Sequence, residues 1–109
     1  MFNDLFEILW DLSKEYPQGF TVTVPDGKAV RKGWCCGHIE TQNCFGRKGL
    51  KKALEFALEN GLAVGGWKGY NGKYYFDAVI LTDDPEEAED LKYRHKQQAV
   101  YNIETGKII

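Results

Sequence analysis

The stretch LAVGGWKGYNGKYYFDAVILT, residues 62–82, decides the fold because it contains the strongest β-hairpin pattern in the chain. Two apolar runs flank Asn71-Gly72, a dipeptide that favours a two-residue type I′ turn between antiparallel strands. Side chains alternate between the two faces of a strand, so Tyr75 and Asp77 are predicted to share one face. The opposite face is predicted to point into the core and carries Tyr74, Phe76, Ala78 and Ile80. Before the turn, the Gly65-Gly66 pair predicts a bulge or a close approach by another backbone.

The residues that precede this hairpin predict a helix and two strands. NDLFEILWDLSKEY, residues 3–16, has apolar residues at helical spacing and begins with Asn3, a favourable N-cap residue. GFTVTV, residues 19–24, alternates apolar and polar residues as a half-buried strand does. After the turn-forming residues 25–28, WCCGHIE at 34–40 is predicted to pair with that strand in an antiparallel hairpin.

A second helix is predicted between the two hairpins, and a third follows them. Residues 41–49 are expected to form a loop, and LKKALEFALENG, residues 50–61, a helix that ends at Asn60-Gly61. DDPEEAEDLKYRHKQQ, residues 83–98, has the start signals of a helix. They are Asp84 as N-cap, Pro85 at the first helical position and Glu87 at the capping-box position.

The last residues, AVYNI and II around a turn at ETGK, predict a short hairpin. The predicted order is therefore α-β-β-α-β-β-α-β-β. Hairpins favour an antiparallel sheet with the helices packed on one face. We predict a single α+β domain over residues 1–109.

Length and composition restrict the class of protein. The chain has 109 residues, of which 43% are hydrophobic and 14% aromatic, which argues against disorder. No apolar run approaches the roughly 20 residues that span a bilayer, so no membrane partner is expected. Acids near the N-terminus do not fit a secretory signal, and three cysteines make a poor disulfide framework. We expect a cytoplasmic protein.

Charged residues are segregated along the chain, although the net charge is only −2. Residues 28–52 contain seven basic residues and the single acid Glu40, whereas residues 77–90 contain seven acids and no base. Such segregation produces a local surface field. The alternative is that each run is a solvated face, or that the two runs face each other.

The segment GWCCGHIETQNCFGRKG, residues 33–49, contains all three cysteines and offers two chemical hypotheses. The first is a zinc site, because zinc prefers thiolate and imidazole ligands. Its ligands would come from Cys35, Cys36, His38 and Cys44. Adjacent residues of a strand point to opposite faces, so at most three of these side chains share a site. The alternative is that one of the adjacent thiols is a small core residue.

The second hypothesis is a nucleophilic Cys44. This residue precedes a predicted helix and lies near Arg47 and Lys48, an environment that lowers a thiol pKa. Its base would be His38 or His95, oriented by Asn43 or Asp77. The alternative is an unreactive loop thiol.

Two further features are candidate binding surfaces. FGRKGLKK, residues 45–52, places Arg47, Lys48, Lys51 and Lys52 around the start of a helix, where anions bind. With Trp34 and Phe45 nearby, this surface could stack on single-stranded nucleic acid, although the acidic balance of the chain argues against it. The other feature comprises Trp67, Tyr70 and Tyr75 near the hairpin turn. These are either exposed anchors for a partner or cross-strand packing residues.

Three stretches, ETQNCFG, VGGWKGYNGKYYFDAVILTDDPEEAEDL and QQAVYNIETGKII, resemble small uncharacterised proteins of phages and conjugative elements of gut bacteria. The shared plan is a strand hairpin, an acidic helix that begins with Asp-Pro-Glu-Glu, and a last strand that ends in a Thr-Gly turn. The resemblance covers residues 38–109. It implies an accessory role in a mobile element inside a bacterium, and it brings no catalytic residue with it.

These observations predict a non-enzymatic accessory or regulatory protein that binds another protein. The expected contacts are the acidic helix and six residues, Arg47, Lys48, Lys51, Lys52, Trp67 and Tyr70. The first alternative is binding of nucleic acid or another polyanion through the basic segment 28–52. The second is a cysteine- or metal-dependent enzyme centred on Cys44. No cofactor is indicated.

Overall fold

The computed structural model describes residues 2–109 and has the α+β fold that the sequence predicts. Three helices and five strands follow one another, with a one-turn 3₁₀ helix, Ile39–Thr41, between β2 and α2. Their bounds are α1 Phe2–Glu15, β1 Phe20–Val22, β2 Trp34–Gly37, α2 Gly46–Asn60, β3 Ala63–Lys68, β4 Tyr74–Thr82, α3 Pro85–Arg94 and β5 Tyr101–Asn102. The predicted last strand is reduced to one bridge between Tyr101 and Ile108.

The five strands form one antiparallel sheet in the order β1-β3-β4-β2-β5. The predicted hairpin between β1 and β2 is therefore wrong. After β1 the chain turns back, and Ala29 forms a bridge with Val22 along the outer side of β1. The inner side of β1 pairs with β3, with Phe20 opposite Gly66. Because both sides of β1 are occupied in this way, β2 pairs with β4 and β5 instead.

The hairpin of β3 and β4 forms as predicted, but its turn is longer. Strand pairing ends at Lys68 and Tyr74, and the Gly72 amide donates a hydrogen bond to the Gly69 carbonyl oxygen at 3.0 Å. Gly72 has a φ of 83°, whereas Asn71 has no positive φ. The prediction of a type I′ turn at Asn71-Gly72 is therefore wrong, because that turn needs a positive φ at both residues. The observed turn places Tyr70 at the tip, where its side chain is fully exposed.

Gly65 and Gly66 pair regularly with β1 and β4, so the predicted bulge is also wrong. The close approach at Gly66 comes from side chains rather than from another backbone. A Cβ atom at this position would lie 2.6 Å from ring carbons of both Phe20 and Tyr74. These two rings stack with centroids 6.3 Å apart. Glycine at position 66 therefore gives the two rings room to pack over the sheet.

All three helices cover the same face of the sheet, as the hairpin pattern predicts. Helices α1 and α2 pack on a cluster that includes Val64, Phe76 and Ala78. Helix α3 packs on a second cluster built around Trp34 and Cys36. The predicted inward face of β4 is confirmed, with Phe76 and Ala78 fully buried and its two end residues, Tyr74 and Ile80, half-buried.

Two helix starts differ from the prediction. Helix α1 already includes Phe2, so Asn3 lies in its first turn and is not the N-cap. Helix α2 begins at Gly46 rather than at residue 50. The reason is a tertiary hydrogen bond of 2.8 Å from the Phe76 amide to the Cys44 carbonyl oxygen, which fixes the chain just before the helix. Arg47 and Lys48 therefore belong to the first turn of α2, not to a loop.

The other helix ends follow their local signals. Gly61 ends α2 with a φ of 65°, and the Asp84 side chain accepts a hydrogen bond from the Glu86 amide at 2.9 Å at the start of α3. The Asp84 amide donates to Thr82 Oγ1 at 3.1 Å, so Glu87 does not complete the predicted capping box. Across residues 2–109, no helix is both long and apolar enough to cross a membrane.

Candidate binding site

The face of the sheet that no helix covers forms an open groove of about 1310 Å³. Its floor comes from the four strands β1 to β4. Its walls come from the end of α1 with residues 18–19, the β3–β4 turn, residues 27–31, residues 42–43 and residues 96–103. Pockets for a single small molecule usually measure about 300–1,000 Å³ and enclose most of their ligand. The larger, open shape of this groove is better suited to an extended segment of chain.

Asp77 is the acidic residue on the floor of the groove. It lies on β4 opposite Gly65 and is half-buried. Burial raises the pKa of Asp77 from 3.8 to about 6, and an interaction with the Trp67 side chain opposes this shift in part. Asp77 takes part in neither of the two ion pairs found within residues 2–109. Near pH 7 the groove therefore contains a desolvated carboxylate without a cationic partner, an arrangement that is costly for a fold and typical of functional sites.

The space beside this carboxylate is kept open by a glycine. A methyl group placed on Gly37 would lie 3.5 Å from Asp77 Oδ2 and 3.2 Å from Gln97 Oε1. Gln97 Nε2 donates to the His95 carbonyl oxygen at 2.9 Å, which leaves Oε1 as the atom nearer the floor. Two oxygen acceptors, one of them charged, therefore lie close together above Gly37.

An aromatic wall stands next to the carboxylate. Trp67 and Tyr75 stack with ring centroids 5.1 Å apart and an interplanar angle of 23°. The Tyr75 hydroxyl oxygen accepts a hydrogen bond of 2.7 Å from Asn71 Nδ2. Trp67 retains 47% exposure, and Tyr70 is fully exposed at the turn. Trp67 and Tyr75 therefore pack across the strands, as one of the two hypotheses predicts, while Trp67 and Tyr70 also keep exposed ring surface.

The opposite wall is closed by a small polar cluster. The hydroxyl oxygens of Thr21 and Tyr101 lie 3.3 Å apart, and the Cys35 thiol is buried near them. Burial raises the pKa of Cys35 to about 12. The thiol therefore stays protonated and serves as a small packing group, the alternative noted above for one of the adjacent cysteines.

The four basic candidates lie away from the groove. Helix α2 packs on the opposite face of the sheet, and its lysines Lys48, Lys51 and Lys52 are exposed but do not line the groove that Trp67 and Tyr70 border. Arg47 is already engaged. Its guanidinium makes two hydrogen bonds with the Glu7 carboxylate, at 2.7 and 3.1 Å, and lies 4.8 Å from the centre of the Phe6 ring. The structure therefore does not bring the six predicted contact residues together.

Replacing Arg47 with methionine is expected to lower the melting temperature by a few degrees, because the ion pair and the ring contact that join α1 to α2 are lost. Lys48→Met is the matched control, since Lys48 is exposed and makes no ion pair within residues 2–109. Thermal denaturation followed by circular dichroism measures both. Equal melting temperatures for the two variants would contradict a structural role for Arg47.

The geometry around Cys44 does not match the nucleophile hypothesis. Cys44 is buried, with 8% exposure, and burial raises its pKa although Lys52 acts in the opposite direction. A reactive thiol needs a lowered pKa. The two proposed bases, His38 and His95, pack against each other with ring centroids 4.3 Å apart, and His38 also lies 4.6 Å from the Phe56 ring.

The proposed zinc ligands are also dispersed. Cys35 faces the groove while Cys36 faces helix α3, as expected for neighbours in a strand. Within residues 2–109, no three His, Cys, Asp or Glu side chains are placed to share a metal ion. His38 and His95 each use Nδ1 to accept a backbone amide hydrogen bond of 3.1 Å, from Glu40 and Ile39 respectively. Both imidazoles therefore help to fix the chain between β2 and α2.

Sequence reasoning did not find the groove. It placed Asp77 and Tyr75 together on one face of β4, which is correct, but it assigned no function to that face. The available signal was an acid in the middle of the longest strand, beside aromatic residues and opposite a glycine. The partner oxygen of Gln97 gave no signal, because Gln97 lies outside the strands and reaches the floor of the groove only through tertiary contacts.

Comparison with known proteins finds no family model, no curated protein and no solved structure that matches the chain.

Proposed function

We propose that this chain is a non-catalytic binding protein that holds an extended segment of a partner protein in the groove. The observation that carries the proposal is the combination of an open groove of about 1310 Å³ with exposed aromatic side chains at one wall. Tryptophan and tyrosine are the residues that most often dominate binding energy at protein interfaces. Trp67 and Tyr70 are therefore the principal contacts of the proposal.

The partner would bind across the face of the sheet rather than add a strand to its edge. On the β1 side, the Val30 amide donates to the Thr21 carbonyl oxygen at 2.9 Å. On the β5 side, the Asn102 amide donates to the Lys107 carbonyl oxygen at 2.8 Å. The backbone groups that strand addition uses are thus partly taken by the chain itself. Recognition in the groove then depends on side chains.

The electrostatics of the groove favour a peptide over a nucleic acid. A nucleic acid is bound mainly through contacts of Lys and Arg with its phosphates. Here the floor carries the Asp77 carboxylate, and the lysines of α2 lie on the other face of the sheet. Polyanion binding by Lys48, Lys51 and Lys52 would be a separate activity of that other face, and the experiment below includes it as an outcome.

The cellular setting belongs to the same proposal. Cys35, Cys36 and Cys44 are all free and buried, and free thiols suit a reducing compartment such as the bacterial cytoplasm. The resemblance of residues 38–109 to proteins of phages and conjugative elements suggests an accessory or regulatory role there.

The test is selection of peptides from a random phage-displayed library on the immobilised full chain, followed by calorimetry with the selected peptides. Trp67→Ala is expected to weaken binding at least tenfold, since truncation of a central aromatic anchor commonly costs about 2 kcal/mol or more. Tyr93→Ala is the matched control, because Tyr93 is an aromatic residue with 73% exposure on α3. Its binding should be unchanged.

Two outcomes would contradict the proposal. The first is that no peptide is selected, or that Trp67→Ala and Tyr93→Ala bind the selected peptides equally. The second is that a single-stranded oligonucleotide binds with strong salt dependence and loses affinity on Lys51→Ala, while no peptide binds. The second result would establish the polyanion alternative.

A further inference from the structure

We infer that the floor of the groove is a receptor site for a primary ammonium group, and that its occupant is a lysine side chain of the bound partner segment. The inference rests on the proposed function and adds the chemistry by which the segment is recognised. The site consists of the Asp77 carboxylate, the Gln97 side-chain oxygen and the Trp67 ring.

The geometry of the acceptors carries the inference. Asp77 Oδ2 and Gln97 Oε1 lie 3.5 and 3.2 Å from the position that a methyl group on Gly37 would occupy. The two oxygens therefore lie close together above Gly37, and the glycine places no side chain between them. An ammonium group is a compact donor with three N–H bonds, so one such group held between the two oxygens, in van der Waals contact with the glycine, would meet both. Within residues 2–109, the Trp67 side chain interacts with the Asp77 carboxylate, but neither ion pair provides Asp77 with a cation.

The surroundings fit the rest of a lysine side chain. Trp67 and Tyr75 form an apolar wall next to the carboxylate, against which a four-carbon stem can pack. Aromatic faces also attract cations electrostatically. Lys96 and Arg31 line the same groove but are exposed at its rim, so they do not neutralise Asp77 from within.

Charge complementarity distinguishes this occupant from others. A carboxylate desolvated without a partner is relieved when a cation arrives, whereas an acidic or phosphorylated segment would increase the penalty. A guanidinium fork is best matched by the two oxygens of one carboxylate. Here the second acceptor belongs to a different residue, which favours the compact ammonium group.

The experiment uses n-butylammonium chloride, which reproduces the end of a lysine side chain, titrated into the full ¹⁵N-labelled chain. We expect saturable shifts of the Trp67 indole N–H and the Gly37 amide signals. The Asp77→Asn variant should bind at least fivefold more weakly. Asp83→Asn serves as the control, because Asp83 is an exposed acid outside the groove. Its affinity should equal that of the wild type.

The neutral analogue n-butanol should leave these signals unshifted at the same concentrations, and ethylguanidinium should bind more weakly than n-butylammonium. Equal shifts with n-butanol, or equal affinity in Asp77→Asn, would overturn the ammonium site. Tighter binding of ethylguanidinium would overturn the assignment to lysine. If n-butylammonium fails while the selected peptides bind in the groove, this inference fails and the proposed function stands. If n-butylammonium binds but no peptide is selected, the proposed function fails, and with it the assignment to a partner's lysine.

Discussion

Replacing Phe76 with alanine is expected to lower the free energy of unfolding by about 3 to 5 kcal/mol, the range for removing a large aromatic side chain from a packed core. Phe76 is fully buried at the centre of the sheet. Its ring lies 5.1 Å from that of Tyr74, 6.1 Å from that of Trp10 and 6.4 Å from that of Phe20, measured between centroids. The truncation would therefore remove the contact through which α1, β1 and β4 meet.

Denaturation in urea, followed by circular dichroism, measures this loss. Tyr93→Ala is again a suitable control, since an exposed aromatic residue should change the free energy of unfolding by no more than about 0.5 kcal/mol. Where Phe76→Ala is too unstable to purify, Phe76→Leu should fold with a smaller loss. A loss below about 1 kcal/mol for Phe76→Ala would mean that the core is not organised around this ring.

Replacing Asp77 with asparagine is expected to raise the free energy of unfolding at pH 7.5 by about 1 to 3 kcal/mol. Burial places the pKa of Asp77 at about 6 in the folded protein, against 3.8 for the ordinary side chain. A tenfold change in proton affinity corresponds to about 1.4 kcal/mol, and the part of the carboxylate that solvent reaches reduces the effect. Asparagine keeps the shape of the side chain and removes the buried charge.

The sign of this effect depends on pH. Because the folded-state pKa is raised, the folded protein holds the Asp77 proton more tightly than the unfolded chain does. This favourable contribution is fully present below about pH 4 and is lost as the pH rises through about 6. Relative to the wild type, Asp77→Asn should therefore be stabilised at pH 7.5 and nearly equal in stability near pH 4.

Urea denaturation at both pH values tests the prediction, with Asp83→Asn as the exposed control. A variant less stable than the wild type at pH 7.5, or a difference that does not change with pH, would contradict the assignment of a desolvated, unpaired carboxylate. The result also bears on function. A residue that costs stability and yet supports binding of n-butylammonium would be one retained for its chemistry rather than for the fold.

Features that depend on neighbouring residues were predictable from the sequence. Alternation along β4 correctly separated Phe76 and Ala78 from Tyr75 and Asp77, and the ends of the helices at Gly61 and Asp84 followed capping chemistry. Features that depend on contacts between distant residues could not be predicted from the sequence. The turn-forming residues 25–28 predicted a hairpin of β1 and β2, but Ala29 occupies the outer side of β1 instead. The early start of α2 likewise depends on a hydrogen bond between Cys44 and Phe76.

The candidate site illustrates the same limit. Trp67 and Tyr70 were identified because they stand in an obvious hairpin, and both border the groove. The site is completed by Asp77 from β4, Gly37 from β2 and Gln97 from the segment after α3. No local pattern joins these three residues, since the strand order and the path of the chain after α3 bring them together. The sequence also grouped the basic residues of α2 with the hairpin aromatics, because it did not reveal that α2 packs on the face of the sheet opposite the groove.

The strand order also determines when the sheet can form during synthesis of the chain. Both strands of the first half, β1 and β2, pair only with strands that the ribosome synthesises later, β1 with β3 and β2 with β4 and β5. A truncated product that stops before residue 63 would have helices but no sheet to join. Folding would therefore await emergence of the central hairpin from the exit tunnel, and this hairpin would then act as the template on which the earlier segments assemble.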